Sequence, residues 1–547
     1  MILTQKIFSF HAKFTFFRPL VKTAIALLFG VSAAVMLTSC TRPIGNYDPW
    51  KVPGTLYSPT QIRVPSQTID MPGASPSILT VSPTAIASPQ ATITLASAGP
   101  TPTPDAPVSL PPLRTEALIY IVQQGDNLGR IALSHQVSVK QILAMNNIPD
   151  PNLIEPGQTL TIPPSSANEL ATNFKIIPDA ELYYGPSAAG FDTSAIVAQY
   201  HGKLAVLTEE QEDGSVLSGS EVVQKVADDF SINPRLLLAV LEYRSGWLTG
   251  PGLEGVSEDY PLGLRDITRS GLYDQLAWAA NEMTRGFTLW QQQALAVWTL
   301  ADDSVLRIDP TINAGTAGVQ YLFSLLLAET DWKQAVSAEG LYATYSRLFG
   351  FPFAFSVEPL VPQGLNQPDF ELPLAPGDIW SLTGGPHWGW GTGSPWAALD
   401  FAPPGGEEDY GCFESMAPVV AVADGDVVRS GYGAVVLDLD GDGSEQTGWT
   451  VLYMHIGSNG RVARGTKLKA GDLIGYASCE GGVTTGTHFH LARRYNGVWI
   501  DAGGQIPFNL GGWVASSLGT VYDGYLIKDG QTVEAYDGRA DFNQISR

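Results

Sequence analysis

The stretch Thr484-Thr485-Gly486-Thr487-His488-Phe489-His490-Leu491 decides the reading of this chain. From His488 to Leu491 it reads as a β-strand, in which successive side chains alternate between faces. His488 and His490 therefore point the same way, about 7 Å apart. One can ligate a metal while the other reaches a substrate bound to it. The chain has seven histidines, and four of them, His387, His455, His488 and His490, fall between 387 and 490. Trp449-Thr450-Val451-Leu452-Tyr453-Met454-His455 reads as a second strand that ends in His. Ala398-Leu399-Asp400-Phe401-Ala402 is a short apolar segment with one buried acid, and Gly384-Gly385-Pro386-His387 reads as a turn ending in His. A single strand histidine is usually a hydrogen-bonded core or surface residue. Four of them, with an acid and a His-x-His, are better explained as one metal site.

Further text surrounds these residues: Pro418-Val419-Val420-Ala421-Val422-Ala423-Asp424-Gly425-Asp426-Val427-Val428, Tyr453-Met454-His455, and Lys469-Ala470-Gly471-Asp472-Leu473-Ile474-Gly475. Residues 380–515 resemble the lysostaphin-type (LytM) zinc endopeptidases of bacterial cell walls. Most members carry His and Asp four apart in the first metal motif, but here the position four before Asp400 is Trp396, which cannot ligate. Gly-Gly-Pro-His, a loop and Leu-Asp-Phe, with thirteen residues from His387 to Asp400, resemble the staphylolysin/β-lytic branch instead. The resemblance implies an antiparallel all-β domain over 376–547 and one zinc per chain held by His387, Asp400 and His490. It places His455 and His488 at the two catalytic histidine positions. It also implies a disulfide from Cys479 to Cys412. Two imidazoles, one carboxylate and an open position make a catalytic rather than a structural zinc. No HExxH motif supplies a glutamate base, so the proton work falls to His455 and His488.

Asp438-Leu439-Asp440-Gly441-Asp442-Gly443 resembles the start of a calcium loop, but the twelfth position is Trp449 rather than Glu. The EF-hand pattern fails there, and a Gly/Asp-rich hairpin tip explains the text equally well. Calcium is thus a weaker expectation than zinc.

Upstream, residues 116–164 carry Tyr120-x-Val122-x-x-Gly125-Asp126-x-Leu128-x-x-Ile131-Ala132 and close with Pro156-Gly157-Gln158-x-Leu160-x-Ile162-Pro163. Strand alternation gives way to helical spacing twice and then returns, a β-α-α-β order. This segment resembles the LysM domain, which binds N-acetylglucosamine-containing chains such as peptidoglycan. The family's groove implies Gly125, Asp126, Asn127, Asn152 and Ile154 as weak binding candidates.

Residues 170–375 read as a mainly helical domain. Strands are expected near Phe174–Ile177 and Gly202–Leu207, and helices over Glu221–Phe230, Pro234–Arg244, Leu272–Gly286, Gln292–Thr299 and Ala314–Leu327. Asn233-Pro234-Arg235-Leu236-Leu237-Leu238-Ala239 and Arg244-Ser245-Gly246 resemble the opening helix of lytic transglycosylases, lysozyme-like enzymes that need a carboxylic acid just before Ser-Gly. Here Arg244 fills that slot and cannot donate a proton. Glu242 lies about 200° round the helix. The domain is expected to be a non-catalytic relic that packs or positions, and residues 376–547 are expected to act on soluble cross-link peptides without it.

The N-terminus reads as a targeting segment. Lys6, Lys13, Arg18 and Lys22 precede an apolar run, Thr23 to Leu37, which meets Leu37-Thr38-Ser39-Cys40. This resembles the lipobox of bacterial lipoproteins: residues 1–39 are a signal peptide and Cys40 is acylated, anchoring the protein to the bilayer on the extracytoplasmic side. Residues 40–115 form a stalk rich in Pro, Ser and Thr, too poor in apolar periodicity to fold alone. The chain's three cysteines exclude a disulfide-dense mini-domain, and the net charge of −23 with no basic stripe argues against nucleic acid as partner. The expected function is a membrane-anchored zinc endopeptidase that cuts peptide cross-links of peptidoglycan. The competing readings are an inactive peptidoglycan-binding scaffold or amidase regulator, and a glycan-cleaving enzyme working through the helical domain.

Overall fold

The computed structural model describes residues 104–547, apart from 125, 166, 168, 212–213, 406–410 and 414. The signal segment, Cys40, most of the stalk and Gly125 lie outside the described residues. No helix among the described residues is long and apolar enough to cross a membrane.

The first unit is β1 (Leu118–Ile121), α1 (Leu128–Ser134), α2 (Val139–Met145) and β2 (Thr159–Ile162), with β1 antiparallel to β2. Asn127 caps α1 by accepting from the Arg130 N–H, and Ser138 and Gln141 form a capping box on α2. Val122, Leu128, Ile131, Ile142, Leu160 and Ile162 form a core of their own. The end of the stalk departs from a free spacer. The Asp105 and Val108 amides donate to Thr311 O and Pro310 O, and Asp105 pairs with Lys175 at 2.7 Å.

The helical domain contains α3 (Thr193–Tyr200), a hairpin of β3 (Thr208–Glu210) and β4 (Val216–Ser218), α4 (Gly219–Phe230), α5 (Pro234–Ser245) and α6 (Leu272–Gln291). A second hairpin, β5 (Val297–Thr299) and β6 (Val305–Arg307), precedes α7 (Ala314–Leu326), α8 (Glu329–Ala335) and α9 (Leu341–Phe349). Three expected elements fail here. Phe174–Ile177 is not a strand: the Ile176 amide donates to the Thr316 hydroxyl at 2.8 Å instead of to a strand partner. Residues 202–207 are likewise a 3₁₀ turn with its flanks. The span 292–299 is not a helix, because Gln293 takes a left-handed φ of 54° and the Ala294 amide returns to Leu289 O, closing α6. Val297, Trp298 and Thr299 then suit a strand.

Glu242 is buried, and its carboxylate accepts from the Leu248 and Thr249 amides and the Thr249 hydroxyl, with Arg347 3.3 Å away. It staples the turn after α5. Arg244 donates from Nε to Leu262 O. Both side chains are thus engaged by the backbone of the segment that follows α5.

The third domain is an antiparallel sheet in the order β13 (Lys467–Leu468), β10 (Gly425–Gly431), β11 (Ala434–Asp438), β12 (Trp449–Met454), β15 (Phe489–Tyr495), β8 (Ala398–Ala402), β7 (Ile379–His387), β21 (Gln544–Ser546), with β16 (Val498–Trp499) also on β15. A small sheet pairs β9 (Pro418–Val420) with β14 (Leu473–Tyr476). A four-stranded sheet, β17 (Asn509–Leu510), β18 (Trp513–Ser517), β19 (Gly524–Lys528) and β20 (Gln531–Glu534), completes the domain.

Alternation divides the large sheet's faces. Val435, Leu437, Val451, Tyr453 and Leu491 turn into the domain's own core. Ala434, Val436, Leu452, Met454 and Ala492 turn the other way and share a core with the helical domain, joined by Trp499. The helical and β domains are thus fused through one apolar layer rather than strung on a linker.

Buried charges reinforce that layer. Glu445 accepts from Arg494 at 2.6 Å and from Arg429 at 3.1 Å, and Arg429 reaches Asp229 of α4 at 3.3 Å. Burial opposes ionisation of Glu445, but the two guanidiniums outweigh it and hold its carboxyl below the usual range. Removing the carboxylate strands the buried Arg494 cation and leaves Arg429 only its contacts with α4. Glu445→Ala is expected to cost about 3–5 kcal/mol in a denaturant titration, far beyond the value of an exposed ion pair.

Candidate active site

Cross-strand register assembles the site. Asp400 on β8 stands opposite His490 on β15 and opposite Gly384 on β7. Gly384-Gly385-Pro386-His387 is the end of β7 rather than the expected turn, and its pairing with β8 shifts register on both sides of Gly384. Such irregularities re-aim the residues that follow. A Cβ on Gly384 would lie 2.7 Å from Asp400 Oδ2, so glycine lets the carboxylate lie against β7.

Three donor atoms converge. His387 Nε2 lies 3.0 Å from His490 Nδ1, and Asp400 Oδ1 lies 3.2 Å from each. His387 Nδ1 faces Gly385 O at 2.8 Å and His490 Nε2 faces Gly389 O at 3.0 Å. A carbonyl only accepts, so those two nitrogens carry the protons. The inward nitrogens are then bare lone pairs, and Asp400 Oδ1 has no hydrogen-bond donor. Three such atoms at this spacing repel one another unless a cation lies between them. The donor set fits zinc, which favours imidazole and carboxylate. Burial works against the Asp400 carboxylate, yet the imidazoles around it, His387 and His488 foremost, hold it well below the usual range. Burial pushes His490 down, with His387 adding to it.

His455 and His488 sit beside this triangle. Their ring centroids are 4.6 Å apart, and His488 Nε2 is 3.7 Å from Asp400 Oδ1. His488 Nδ1 donates to Gly486 O at 2.8 Å, and His455 Nδ1 to Glu480 O at 3.1 Å. His455 follows β12 with a left-handed φ of 61°, secured by the Ser478 amide donating to its carbonyl at 2.7 Å. Burial, then His488 and His490, push its ring down to about 3, so it is neutral.

Residues 407–502 match peptidase family M23, residues 175–360 the LasA N-terminal domain family and residues 120–163 the LysM family. The C-terminal unit is an M23 peptidase domain. Protease LasA of Pseudomonas aeruginosa is 28% identical over 352 residues, covering 60% of this chain and 75% of the relative. The beta-lytic metalloendopeptidase of Lysobacter enzymogenes is 28% identical over 182 residues, covering 31% and 92%. Among solved structures, the M23 metalloprotease pseudoalterin is 22% identical and covers 33% of this chain and 99% of its own, with a TM-score of 0.27. The chain is homologous to LasA protease and the beta-lytic enzyme, and these matches support a metalloendopeptidase. With the LysM module they support an endopeptidase related to peptidoglycan.

The M23 domain also uses a residue that the sequence did not single out. Tyr522, on the loop between β18 and β19, stacks on the His387 ring at 4.4 Å and 22°. Its amide donates to Pro386 O and its carbonyl accepts from the Gly385 amide. Nothing in its local text marks it, because the contact comes from a separate sheet.

Cys412 and Cys479 are bridged, 67 residues apart. The bridge stands beside Glu480, whose carbonyl orients His455, and beside the Thr487 amide, which donates to Gly411 O. Replacing both cysteines by serine is expected to lower stability by about 4 kcal/mol, read from the shift in thermal unfolding.

Asp438, Asp440 and Asp442 come together in the M23 domain as well. Their carboxylates accept from the Asp440, Gly443, Asp442 and Ser444 amides, as a tight hairpin tip requires. Glu445 is committed to Arg429 and Arg494.

In the LysM module, Asp126 accepts from Tyr120 OH and the Gln123 amide, and Asn127 caps α1. Asn152 donates to Asp150, and Ile154 packs on the module's core. The loops that carry them meet where the Gly157 amide donates to Val122 O.

Proposed function

We propose that the protein is an extracytoplasmic zinc endopeptidase that hydrolyses peptide cross-links of peptidoglycan, held to the membrane by acylated Cys40 and to glycan by its LysM module. The observation that carries this reading is the triangle of His387 Nε2, His490 Nδ1 and Asp400 Oδ1, with two further histidines beside it. A zinc held there would lower the pKa of bound water and polarise the scissile carbonyl. His387, Asp400 and His490 would hold it, each imidazole fixed in its tautomer by a backbone carbonyl.

The proton work then belongs to His455 and His488. Both commit Nδ1–H to a carbonyl, so both present a bare Nε2 in the neutral ring. Either can take the proton of an attacking water and return it to the leaving amine. A ring so protonated can also donate to the developing oxyanion. The LysM module raises the local concentration of wall substrate without a new contact at the site.

Purified peptidoglycan incubated with the protein, with and without a zinc chelator, tests the reading. New amino termini that vanish with chelator support it, and mass spectrometry of the products identifies the bond. Reducing or anhydro sugar ends, or no products at all, would remove it.

A further inference from the structure

His455 and His488 reach the site from different pieces of backbone. His455 directly follows β12 and is fixed on several sides. The Ile456 amide donates to Gly433 O at 2.9 Å, and the Ser478 amide and hydroxyl donate to the His455 carbonyl at 2.7 and 3.1 Å. Glu480 O then takes the proton on the ring's Nδ1. A Cβ on Gly433 would collide with Glu480 O, so the β10–β11 turn packs directly on that carbonyl. His488 is placed differently. It stands one residue ahead of β15, and its backbone forms an isolated bridge with Ser478. Its ring leans on Gly486 O at 2.8 Å and on the Thr484 hydroxyl at 3.2 Å, both in the loop that precedes it.

Thr487, the residue between that loop and His488, is buried and takes no part in the chemistry described above. Its hydroxyl accepts from the Phe413 amide at 2.7 Å and donates to Phe413 O at 2.6 Å. Its amide donates to Gly411 O at 2.9 Å. A hydroxyl has one proton to give, and this one spends it, with an acceptor site, on the backbone of a single residue. Cys412 lies between Gly411 and Phe413 and is bridged to Cys479, the residue before Glu480. Close by, the Ser415 amide donates to Ala477 O at 2.9 Å. Residues 411–413 are therefore tied on one side to the residue before His488, and on the other to the residue before the carbonyl that orients His455.

We infer that Thr487 is a positioning residue for the two proton-moving histidines: through residues 411–413 and the Cys412–Cys479 bridge it fixes His488 against His455. The inference rests on the metallopeptidase reading above. The two rings lie 4.6 Å apart, centroid to centroid. The tie also governs Gly486 O, since that carbonyl is joined to the Thr487 nitrogen and orients the His488 ring. Ligation does not depend on it, because His387, Asp400 and His490 are set by the register of β7, β8 and β15. Loosening the tie lets the His488 ring drift while the ligands stay, and a misplacement of about 1 Å can cost about 10²-fold in rate.

The test uses purified protein carrying Thr487→Val, which keeps the side chain's shape and loses its hydroxyl, or Thr487→Ser, which keeps the hydroxyl. Cys412→Ser with Cys479→Ser opens the other end of the tie. Three readouts are taken well below each variant's unfolding temperature: hydrogen exchange at the Phe413 amide, zinc bound per chain, and kcat and KM on a soluble cross-linked peptide. Thr487→Val is expected to lose protection at Phe413, keep its zinc and lower kcat by about 10–100-fold with KM little changed. Thr487→Ser is expected to behave like wild type. The cysteine pair should keep zinc and lose kcat as Thr487→Val does. Combining the two changes should cost less than the product of their separate losses, since both act through one tie. Unchanged kcat once Phe413 has lost protection would overturn the inference, and so would losses that simply multiply. Zinc lost together with kcat would overturn it too, as would a serine variant as slow as the valine one. If Thr487→Val does not fold, the cysteine pair decides, and a folded, zinc-loaded pair with unchanged kcat rejects the tie. A wild-type protein that takes up no zinc and cuts nothing would bring down the metallopeptidase reading, and this inference with it.

Discussion

Protein carrying His490→Ala is expected to be purified without zinc and to cleave no cross-linked peptide above background. His488→Ala is expected to keep its zinc and lose about 10²–10⁴ in turnover. The difference follows from which nitrogen faces what. His490 Nδ1 is one corner of the three-atom cluster with His387 and Asp400. His488 presents its Nε2 3.7 Å from Asp400 Oδ1, beside that cluster and within contact of the His455 ring. On the proposed reading, two residues on one strand face have separable roles, one in holding the ion and one in moving protons. Metal content by atomic absorption, measured on the same preparations as turnover, separates them. Equal zinc and unchanged turnover in His490→Ala would reject the ligand set.

What the sequence disclosed about this site follows from period. His488 and His490 share a face because a strand has a two-residue repeat, and that much is local. His387 and Asp400 were candidates from the clustering of histidines with an acid, but their place as ligands came through a family resemblance, since the loop 388–397 separates their strands. Register then decides the rest: Gly384 opposite Asp400, and Asp400 opposite His490. The βααβ module was legible because its two helices carry caps and a narrow apolar stripe. The helical domain was legible where amphipathic spacing was long, as in α4, α5 and α7, and misread where a tertiary partner took over the backbone. Ile176 is the plainest example, since its amide is satisfied by Thr316 across the fold. Tyr522 was hidden for the same reason: it stacks on His387 from a separate sheet, and no local pattern encodes which layer will touch which.

The fused core leads to an outcome opposite to the modular expectation. Residues 376–547 expressed alone are expected to self-associate and to lose cooperative tertiary structure, rather than to act on soluble peptides as a free-standing enzyme. Val436, Leu452, Met454 and Trp499 are each nearly inaccessible in the intact chain, and all four belong to the core shared with the helical domain. Burying such a side chain contributes about 1.5–3 kcal/mol, so exposing these four removes roughly 6–12 kcal/mol. That is comparable to the whole stability of a typical domain, about 5–15 kcal/mol. The truncation also strips Asp229 from Arg429 and leaves an apolar face of the size that drives association. A fragment spanning 170–547 keeps both halves of the core and is expected to unfold in a single transition. Size-exclusion chromatography and near-ultraviolet circular dichroism of the two fragments make the comparison. If the shorter fragment ran as a monomer, melted cooperatively and matched the full chain's turnover, the shared layer would be incidental. The peptidase domain would then fold independently of its helical neighbour.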